Sequence, residues 1–558
     1  MSSIARSAPP PPMLPTKSAI FSFTPDSSRG CCRWRKPVDQ YSQTRACRMM
    51  VGSKEARERM SPQRANHQRR YECAPVICRT PSGGYPAFPY LPPQRYPEFG
   101  TRGPTDPSNQ VYAAVRRILE DIGLDQPNIG KPTWNPLKGY LQPGQRAVIK
   151  PNWVMHVNPA GPLKALITHT SVIRVLIDYV LLALDGRGRV DIADAPLQGC
   201  DFAAIKRITM IDELLDLYRA EAPHVEFHVL DLRKTTLEGW RVEGSTHQQS
   251  QQEGDPRGYT LVDLGQDSLL ADIEDRAARF RVTMYDHRLM RQHHAEDRHE
   301  YLLANSVLDA DLVINVPKLK THLKAGVTAA LKNLIGINGH KEYLPHHTNG
   351  CPATGGDQYP RLSYVKPVRS WVDDRYWRLT AQGLPSRHFR NALGAAGRAL
   401  RRSSRFLDSD NLMDGGWSGN DTIPRTTLDI NNALYFLDRA GNGQRLSPEP
   451  LRTALHIVDG VVAGEGLGPL HPSPKAANLV MGGWNPLTVD LCAGRLIGLD
   501  ADKVRLLRYG LAHPRSMLGL VSPKIADLEL VLDGDRMPFA DLESLGFTLP
   551  ETWLDAVA

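Results

Sequence analysis

Four side chains that can bind an anion follow one strongly apolar segment of the sequence. The segment is Leu312–Val316, and the side chains that follow it are Lys318, Lys320, His322 and Lys324. A continuous apolar run of this length is typical of a buried strand in a parallel sheet. Pro317 cannot donate to a strand ladder, so we predict that the strand ends there and that the basic residues lie on a loop. Open α/β sheets bind ligands at such strand ends, and a solvated basic loop is the alternative that spacing leaves open.

Three of the candidate residues can do acid–base or nucleophilic chemistry. The imidazoles of His322 and His169 titrate near neutral pH, which suits proton transfer. Lys318 is the third candidate, because it directly follows an almost wholly apolar strand, at the end of the sheet where ligands bind. A histidine that is simply hydrogen-bonded in the interior is the structural alternative for His169.

The rest of the chain alternates strand and helix patterns. Strands are predicted at 145–150, 190–193, 225–230, 312–316, 455–462, 477–481 and 527–533, and helices at 108–123, 172–184, 208–222, 326–335 and 486–499. This alternation predicts an α/β fold with a mostly parallel, multi-stranded sheet flanked by helices. Residues 231–300 have a strand-poor polar pattern, and we predict a β-rich excursion there. The glycine-rich segment 464–469 lacks the spacing of a dinucleotide fingerprint and predicts a flexible loop at the rim of the site.

Polar residues follow several of these predicted strands. Parallel strands end at one edge of a sheet, so these residues are expected to converge. Lysine and asparagine there can hold a carboxylate or a phosphate, which makes Lys150, Asn152 and Lys320 candidates for ligand binding. Carboxylates there can bind Mg²⁺ or Mn²⁺, and the candidate metal ligands are Asp194, Asp459, Glu465 and Asp490. Each carboxylate also has a structural alternative, such as a turn residue or a helix-start residue.

The positive charge of the chain is concentrated at its beginning. The whole chain has a net charge of +8; residues 1–100 hold 16 basic and 6 acidic residues, a net of +10, which leaves −2 for the remainder. Residues 1–104 are rich in Pro, Ser and Arg and are predicted to be a disordered basic tail, with an organellar transit peptide or an upstream start codon as alternatives. Residues 105–337 and 426–558 are predicted to form the two parts of the α/β core. The charge distribution therefore supports nucleic-acid binding only through the tail and not through the folded part.

Residues 338–425 are predicted to be an insertion that can act as a lid. Within it, residues 389–406 have the pattern of a basic amphipathic helix. Such a helix usually packs on its own domain with its charges in water, and membrane or partner binding is the alternative. No apolar run is long enough to predict a membrane span. Cysteines after residue 100 are the isolated Cys200, Cys351 and Cys492, which fits a reducing cytoplasm and predicts no iron–sulfur cluster.

Three sequence blocks resemble the family of proteins that carry domain of unknown function 362. The blocks are 148–152 with 168–169 and 191–194, then 316–336, and finally 459–469 with 489–490. Within the second and third blocks, Thr328, Lys332, Asn333 and Gly466 join the expected ligand-binding residues. Many members carry an added ferredoxin-like cysteine cluster, and this sequence lacks it. The resemblance implies no particular reaction.

These observations favour a protein that binds a small anion at the strand ends, and a metal-assisted enzyme is one form that such a protein can take. The alternatives are a non-catalytic anion-binding or assembly protein and, ranked last, nucleic-acid binding through the basic tail.

Overall fold

The computed structural model describes residues 70–81, 84–100, 103–238, 248–381, 387–407, 412–440, 444–520 and 525–558. These residues belong to one of two units into which the chain divides, Ser61–Ala558. Most of the predicted tail, residues 1–69, lies outside the described residues. The prediction that the disordered tail extends to residue 104 is wrong for its last part, because Val76–Arg79 is a strand of the main sheet.

Within the described residues, twelve strands form one mixed sheet. The strands are β1 (Val76–Arg79), β2 (Arg146–Pro151), β3 (Gly188–Asp194), β4 (Val225–Asp231), β11 (Leu312–Val316), β12 (Lys318–His322), β13 (Gly326–Thr328), β17 (Ala454–Leu467), β18 (His471–Lys475), β19 (Leu479–Gly483), β20 (Glu529–Leu532) and β21 (Asp535–Pro538). Along the sheet the order is β21-β20-β1-β19-β17-β11-β2-β3-β4, and β12, β13 and β18 attach to this path.

The core of this sheet is parallel, as the alternating pattern predicts. Strands β4, β3, β2, β11 and β17 are neighbours in that order, and each adjacent pair is parallel. From β2 the chain moves one way to β3 and β4 and then returns to the other side of β2 to add β11. The boundary between β2 and β11 is therefore the point where strand order reverses, and open α/β sheets bind ligands outside the carboxyl ends of the strands at such a point.

Helices cover both faces of the parallel strands. They are α1 (Gln110–Asp121), α2 (Thr170–Leu184), α3 (Phe202–Thr209), α4 (Ile211–Glu221), α5 (His287–Met290), α6 (Asn305–Leu308), α7 (Ala330–Asn333), α8 (Val365–Ala381), α9 (Arg387–Leu407), α10 (Thr422–Phe436), α11 (Pro486–Ile497) and α12 (Arg505–Ala512). Because successive strand residues point to opposite faces, Leu312 and Ile314 of β11 join one apolar cluster and Val313 joins the other. A strand buried on both faces has the continuous apolar sequence seen here.

The excursion expected between residues 231 and 300 is rich in short strands. They are β5 (Thr235–Glu238), β6 (Gln248–Gln251), β7 (Tyr259–Asp263), β8 (Phe280–Arg281), β9 (His294–Ala295) and β10 (Arg298–Ala304), and three further short strands follow later in the chain, β14 (His347–Thr348), β15 (Leu437–Asp438) and β16 (Arg445–Leu446). In the described part of the chain, no helix is both long enough and apolar enough to cross a membrane.

The structure corrects the prediction that residues 318–322 form a loop. They form β12, which pairs in parallel with β17 and in antiparallel with β13. Pro317 ends the pairing with β2, but the long strand β17 continues past that point and offers a new edge. Residues 464–467 belong to this extended part of β17 and do not form the predicted flexible loop. Residues 326–328 form β13, so the predicted helix does not begin there.

Candidate functional site

Lys318 is neutralised by a carboxylate on the neighbouring strand. Its Nζ donates to Asp459 Oδ2 at 2.7 Å and to the Val462 carbonyl at 3.0 Å, and both charged side chains are completely buried. The hydroxyl of Tyr85 lies 2.6 Å from Lys318 Nζ and donates to Asp459 Oδ1 at 2.6 Å. Burial lowers the pKa of Lys318, and Asp459 counters that effect. Lys318 is therefore held in a buried ion pair with Asp459.

Lys150 forms a second closed ion pair at the ends of β2 and β3. Its Nζ donates to Asp194 Oδ1 at 2.7 Å, and the Trp153 backbone N–H donates to Asp194 Oδ2 at 2.8 Å. Asn333 accepts from Lys150 at 3.3 Å and from Asn152 Nδ2 at 2.8 Å. These predicted residues thus converge at the reversal between β2 and β11, where they bond mainly to one another.

Lys320 lies on the same face of β12 as Lys318 and has a different environment. Its Nζ donates to the Leu166 carbonyl at 2.7 Å, and the side chain is completely buried. Burial lowers its pKa well below the usual value, and the charges of Lys318 and Lys332 lower it further. Thr328 is the residue opposite Lys320 in the β12–β13 pair, and within the described chain its buried hydroxyl has no hydrogen-bond partner.

Three more lysines lie close enough to influence one another electrostatically. Lys324 Nζ donates to Thr283 Oγ1 at 3.0 Å, and Lys341 Nζ donates to the Thr283 carbonyl at 3.2 Å. Among the described residues, the Lys332 ammonium has no hydrogen-bond or ion-pair partner. We call Lys320, Lys324, Lys332 and Lys341 the lysine cluster.

The pKa values of the lysine cluster are lowered together. Burial lowers the pKa of Lys332 to about 7, with additional effects of Lys324 and Lys150, and burial with Lys324 lowers that of Lys341 to about 8. The charges of Asp414 and Asp357 act in the opposite direction on Lys324, and that of Asp414 does so on Lys341, but in the described chain neither carboxylate forms an ion pair with these lysines. The cluster therefore carries more potential positive charge than the nearby carboxylates balance.

His322 adds a neutral donor beside the lysine cluster. Its Nδ1 accepts from the backbone N–H groups of Lys324 at 3.0 Å and Ala325 at 3.2 Å, so the single proton of the neutral ring lies on Nε2. Burial and the charges of Lys332 and Lys324 keep the pKa of His322 well below its usual value. The ring is therefore a neutral hydrogen-bond donor at pH 7.

His169 lies on the other side of the ion pair of Lys318. It caps α2 through Nδ1, which accepts from the Ser171 N–H, and its ring stacks on Tyr85 at 3.8 Å between ring centroids. Its backbone N–H donates to Asp459 Oδ2 at 2.9 Å. Burial lowers the pKa of His169 to about 4, so it is neutral at physiological pH.

The four predicted metal ligands do not form one site. Asp194 and Asp459 each pair with a lysine, while Asp490 accepts from the Ala330 and Leu331 N–H groups at 2.6 and 3.2 Å. Burial raises the pKa of Asp490 to about 8, against the effect of those two N–H groups. Within the described ranges, no group of three or more His, Cys, Asp or Glu side chains has a metal-binding arrangement.

The remaining predicted carboxylate and the predicted glycine lie at the far end of β17. Glu465 accepts from the Thr548 N–H at 2.7 Å, and the Gly466 carbonyl accepts from Thr321 Oγ1 at 2.9 Å. Gly466 has φ +75°, a backbone conformation that favours glycine. Its position is thus explained by the backbone without a ligand.

Sequence reasoning missed several residues of the site. Tyr85 was assigned to the tail, Lys341 and His346 to the insertion, and Leu166 lacks a polar side chain. Burial lowers the pKa of His346 well below its usual value, and the nearby charges of Lys324 and Lys332 lower it further. The group of His and Lys residues at 340–347 was the one sequence signal that could have identified Lys341 and His346, because these basic residues follow the apolar segment 334–337.

Comparison with known proteins supports the resemblance found in the motifs. Residues 260–495 match the model of a family described as Domain of unknown function (DUF362). The DUF362 match contains the second and third sequence blocks, and the first block lies before it.

Among solved structures, a crystal structure of a Thermotoga maritima protein is similar over 67% of this chain, at 11% sequence identity and a TM-score of 0.26. The alignment spans about half of that protein, 54% of its chain. No curated protein matches the sequence.

Proposed function

We propose that this DUF362 protein binds a small anion, a carboxylate or a phosphate, at the lysine cluster. The observation that carries the proposal is the contrast between two kinds of lysine in one region. Lys150 and Lys318 each have a carboxylate 2.7 Å away. The protein partners of Lys320, Lys324 and Lys341 are uncharged oxygens, and Lys332 has none in the described chain.

Electrostatics supports a ligand that carries the missing negative charge. Removing an ammonium group from water costs several kcal/mol unless an opposite charge compensates it. Carbonyl and hydroxyl oxygens satisfy hydrogen bonds but leave the charge in place. Charge-assisted hydrogen bonds to an anionic ligand are about twice as strong as neutral ones, and they would raise the lowered pKa values of these amines.

The surrounding donors fit an anion with several oxygens. The Nε2–H of His322 and the hydroxyl of Thr328 are uncharged donors next to the ammonium groups, and Thr328 Oγ1 lacks a protein partner in the described residues. The cluster also follows the carboxyl end of β11, beside the reversal of strand order where ligands of open α/β sheets bind. Tetrahedral phosphates and di- or tricarboxylates are therefore the ligands to test first.

The proposal is tested by thermal unfolding of the full chain with phosphate, pyrophosphate and citrate at pH 7 and constant ionic strength. We expect at least one of these anions to raise the Tm in a saturable way, and Lys320→Met to abolish that rise. Lys138→Met removes an exposed lysine from another part of the chain and serves as the matched control. Equal Tm increases in the wild type, Lys320→Met and Lys138→Met would reject the lysine cluster as the binding site.

A catalytic role is favoured by one further observation. Burial lowers the pKa of Lys332 to about 7, so about half of its amine is uncharged at that pH. An uncharged amine can add to the carbonyl carbon of a bound oxo acid, and loss of water then gives an imine. Borohydride trapping with pyruvate as the probe, followed by mass spectrometry, tests this second candidate. Modification at a residue other than Lys332 would reject it.

A further inference from the structure

Helix α8 has an inverted distribution of polar and apolar side chains. It buries Lys366, Arg369 and Ser370, which are 1%, 6% and 5% exposed. It exposes Val368 and Trp371, which are 51% and 61% exposed. A helix of a globular protein normally turns its apolar stripe to the core and its charged face to water.

The exposed apolar side chains form one continuous face. Tyr364, just before α8, is 89% exposed, and Val368 and Trp371 follow it at the spacing of successive helical turns. Leu362, just before Tyr364, is 64% exposed. Contiguous exposed apolar residues of this kind mark an interaction surface more often than single ones do.

The same segment is strongly basic. Residues 361–407 contain eleven Lys and Arg and two Asp, a net charge of +9. The chain after residue 100 has a net charge of −2, so the part of it outside this segment carries −11. The positive charge of the folded part is thus concentrated on the two helices that expose the apolar face.

The two acidic residues of the segment already have partners outside helix α9. Asp374 accepts from Arg281 at 3.2 Å, and Asp373 lies 3.7 Å from Arg369 of its own helix. Helices α8 and α9 pack against each other, and Gly397 of α9 lies beside Asp373 and Val372 of α8. Arg375 and Arg398 are both exposed.

We propose that α8 and α9 dock on the surface of a bilayer that contains anionic lipid. Tyr and Trp side chains prefer the boundary between headgroups and acyl chains, where an apolar ring and a polar edge are both accommodated. Arginines near an anionic membrane surface each add favourable electrostatic energy. The apolar face would lie in the boundary region while the arginines contact lipid phosphates, as in a peripheral amphipathic element.

Two other occupants fit these observations less well. A second copy of the chain would bring two surfaces of net charge +9 together, because a two-fold interface uses the same patch on both partners. A nucleic acid would match the charge and could stack on Trp371, but it would leave Leu362 and Val368 without a role. A lipid surface uses both the charge and the aliphatic side chains.

The experiment is flotation of the full chain with vesicles of phosphatidylcholine alone or with 30% phosphatidylserine. We expect binding to the anionic vesicles, at least tenfold weaker binding to neutral ones, and at least a fivefold loss in the double variant Val368→Ser/Trp371→Ser. The charge variant Arg375→Glu/Arg398→Glu should lose binding to a similar degree. Leu554→Ser and Lys138→Glu change comparably exposed residues elsewhere and should bind like the wild type.

The basic N-terminal residues could also bind anionic vesicles, and the serine variant distinguishes that binding from binding through α8. Binding through their charge alone would depend on phosphatidylserine but would be unchanged in Val368→Ser/Trp371→Ser, and that result would overturn the proposal. It would also be overturned if the serine variant lost affinity for a single-stranded oligonucleotide as strongly as for vesicles. A wild-type dimer that this variant converts to a monomer would overturn it in favour of a second copy.

Discussion

Replacing Lys332 by methionine should stabilise the protein at pH 7 when no anion is bound. Methionine keeps an unbranched side chain of similar length and removes an ammonium group that has no partner in the described chain. The difference between the ordinary lysine pKa of 10.5 and about 7 corresponds to an upper bound of about 5 kcal/mol for the charged form. Lys332 is only half-buried, so solvent screens much of this energy. We expect the free energy of unfolding to rise by about 1–2 kcal/mol.

The pH dependence of this effect has a defined sign. The unfolded chain protonates Lys332 below pH 10.5 and the folded chain protonates it below about pH 7, so between these values the unfolded state binds more protons. The wild type therefore gains stability from this residue as the pH rises from 7 to 10.5. The advantage of Lys332→Met should be largest at pH 7 and below, and it should disappear as the pH approaches 10.5.

Urea unfolding of the wild type, Lys332→Met and Lys138→Met at several pH values between 6 and 10 measures this difference. A bound anion should reverse the order, since a ligand at 100 times its Kd stabilises the folded state by about 2.7 kcal/mol. Saturating phosphate or citrate is therefore expected to stabilise the wild type above the variant. The electrostatic reasoning is refuted if Lys332→Met is less stable than the wild type at pH 7 without anion, or if their difference is the same at pH 7 and pH 10.

Three further substitutions test the groups around the lysine cluster. Tyr85→Phe should lower the free energy of unfolding by about 2 kcal/mol, because it removes the hydroxyl that donates to Asp459 in the buried ion pair. Tyr364→Phe, at an exposed site, should have no effect in the same urea titration. Asp459→Asn should cost about 3–5 kcal/mol, since it leaves a buried ammonium group without its counter-ion; a loss below 1 kcal/mol in calorimetry would contradict this. Gly464→Ala should lower the Tm, because the new methyl group would lie 2.6 Å from a backbone carbonyl, and Gly139→Ala, where the space is open, should not.

The parallel core of the fold could be predicted from the sequence because its signals are local. Leu312–Val316 is apolar at every position but Asn315, and such a run indicates a strand buried on both faces. The strands at 146–151 and 188–194 and the helix between them follow from the same kind of pattern. The boundaries differ from the expected ones by one or two residues, which is the usual uncertainty of strand and helix ends.

The pairing of β12 could not be predicted from its own sequence. Alternating lysines in Lys318–His322 resemble a solvated loop, and the strand forms because β17 extends past the end of β11 and supplies a partner. Tyr85 could not be predicted either, since it reaches Lys318 and Asp459 from a chain position more than 200 residues away. Long-range partners of this kind leave no periodic signal in a single sequence.

The alternating direction of the side chains along β12 explains why Lys318 forms an ion pair with β17 and Lys320 does not. Lys318, Lys320 and His322 point to the same side of the strand because side chains two residues apart share a face. The first lies beside Asp459 of β17, and the partner of the second at that register is Gly464, which has no side chain to offer. A carboxylate at position 464 would neutralise Lys320, but a Cβ there would lie 2.6 Å from the Ala165 carbonyl and 3.0 Å from the Lys320 Cβ. The close packing that excludes a side chain at Gly464 therefore also prevents the residue opposite Lys320 on β17 from supplying a counter-ion.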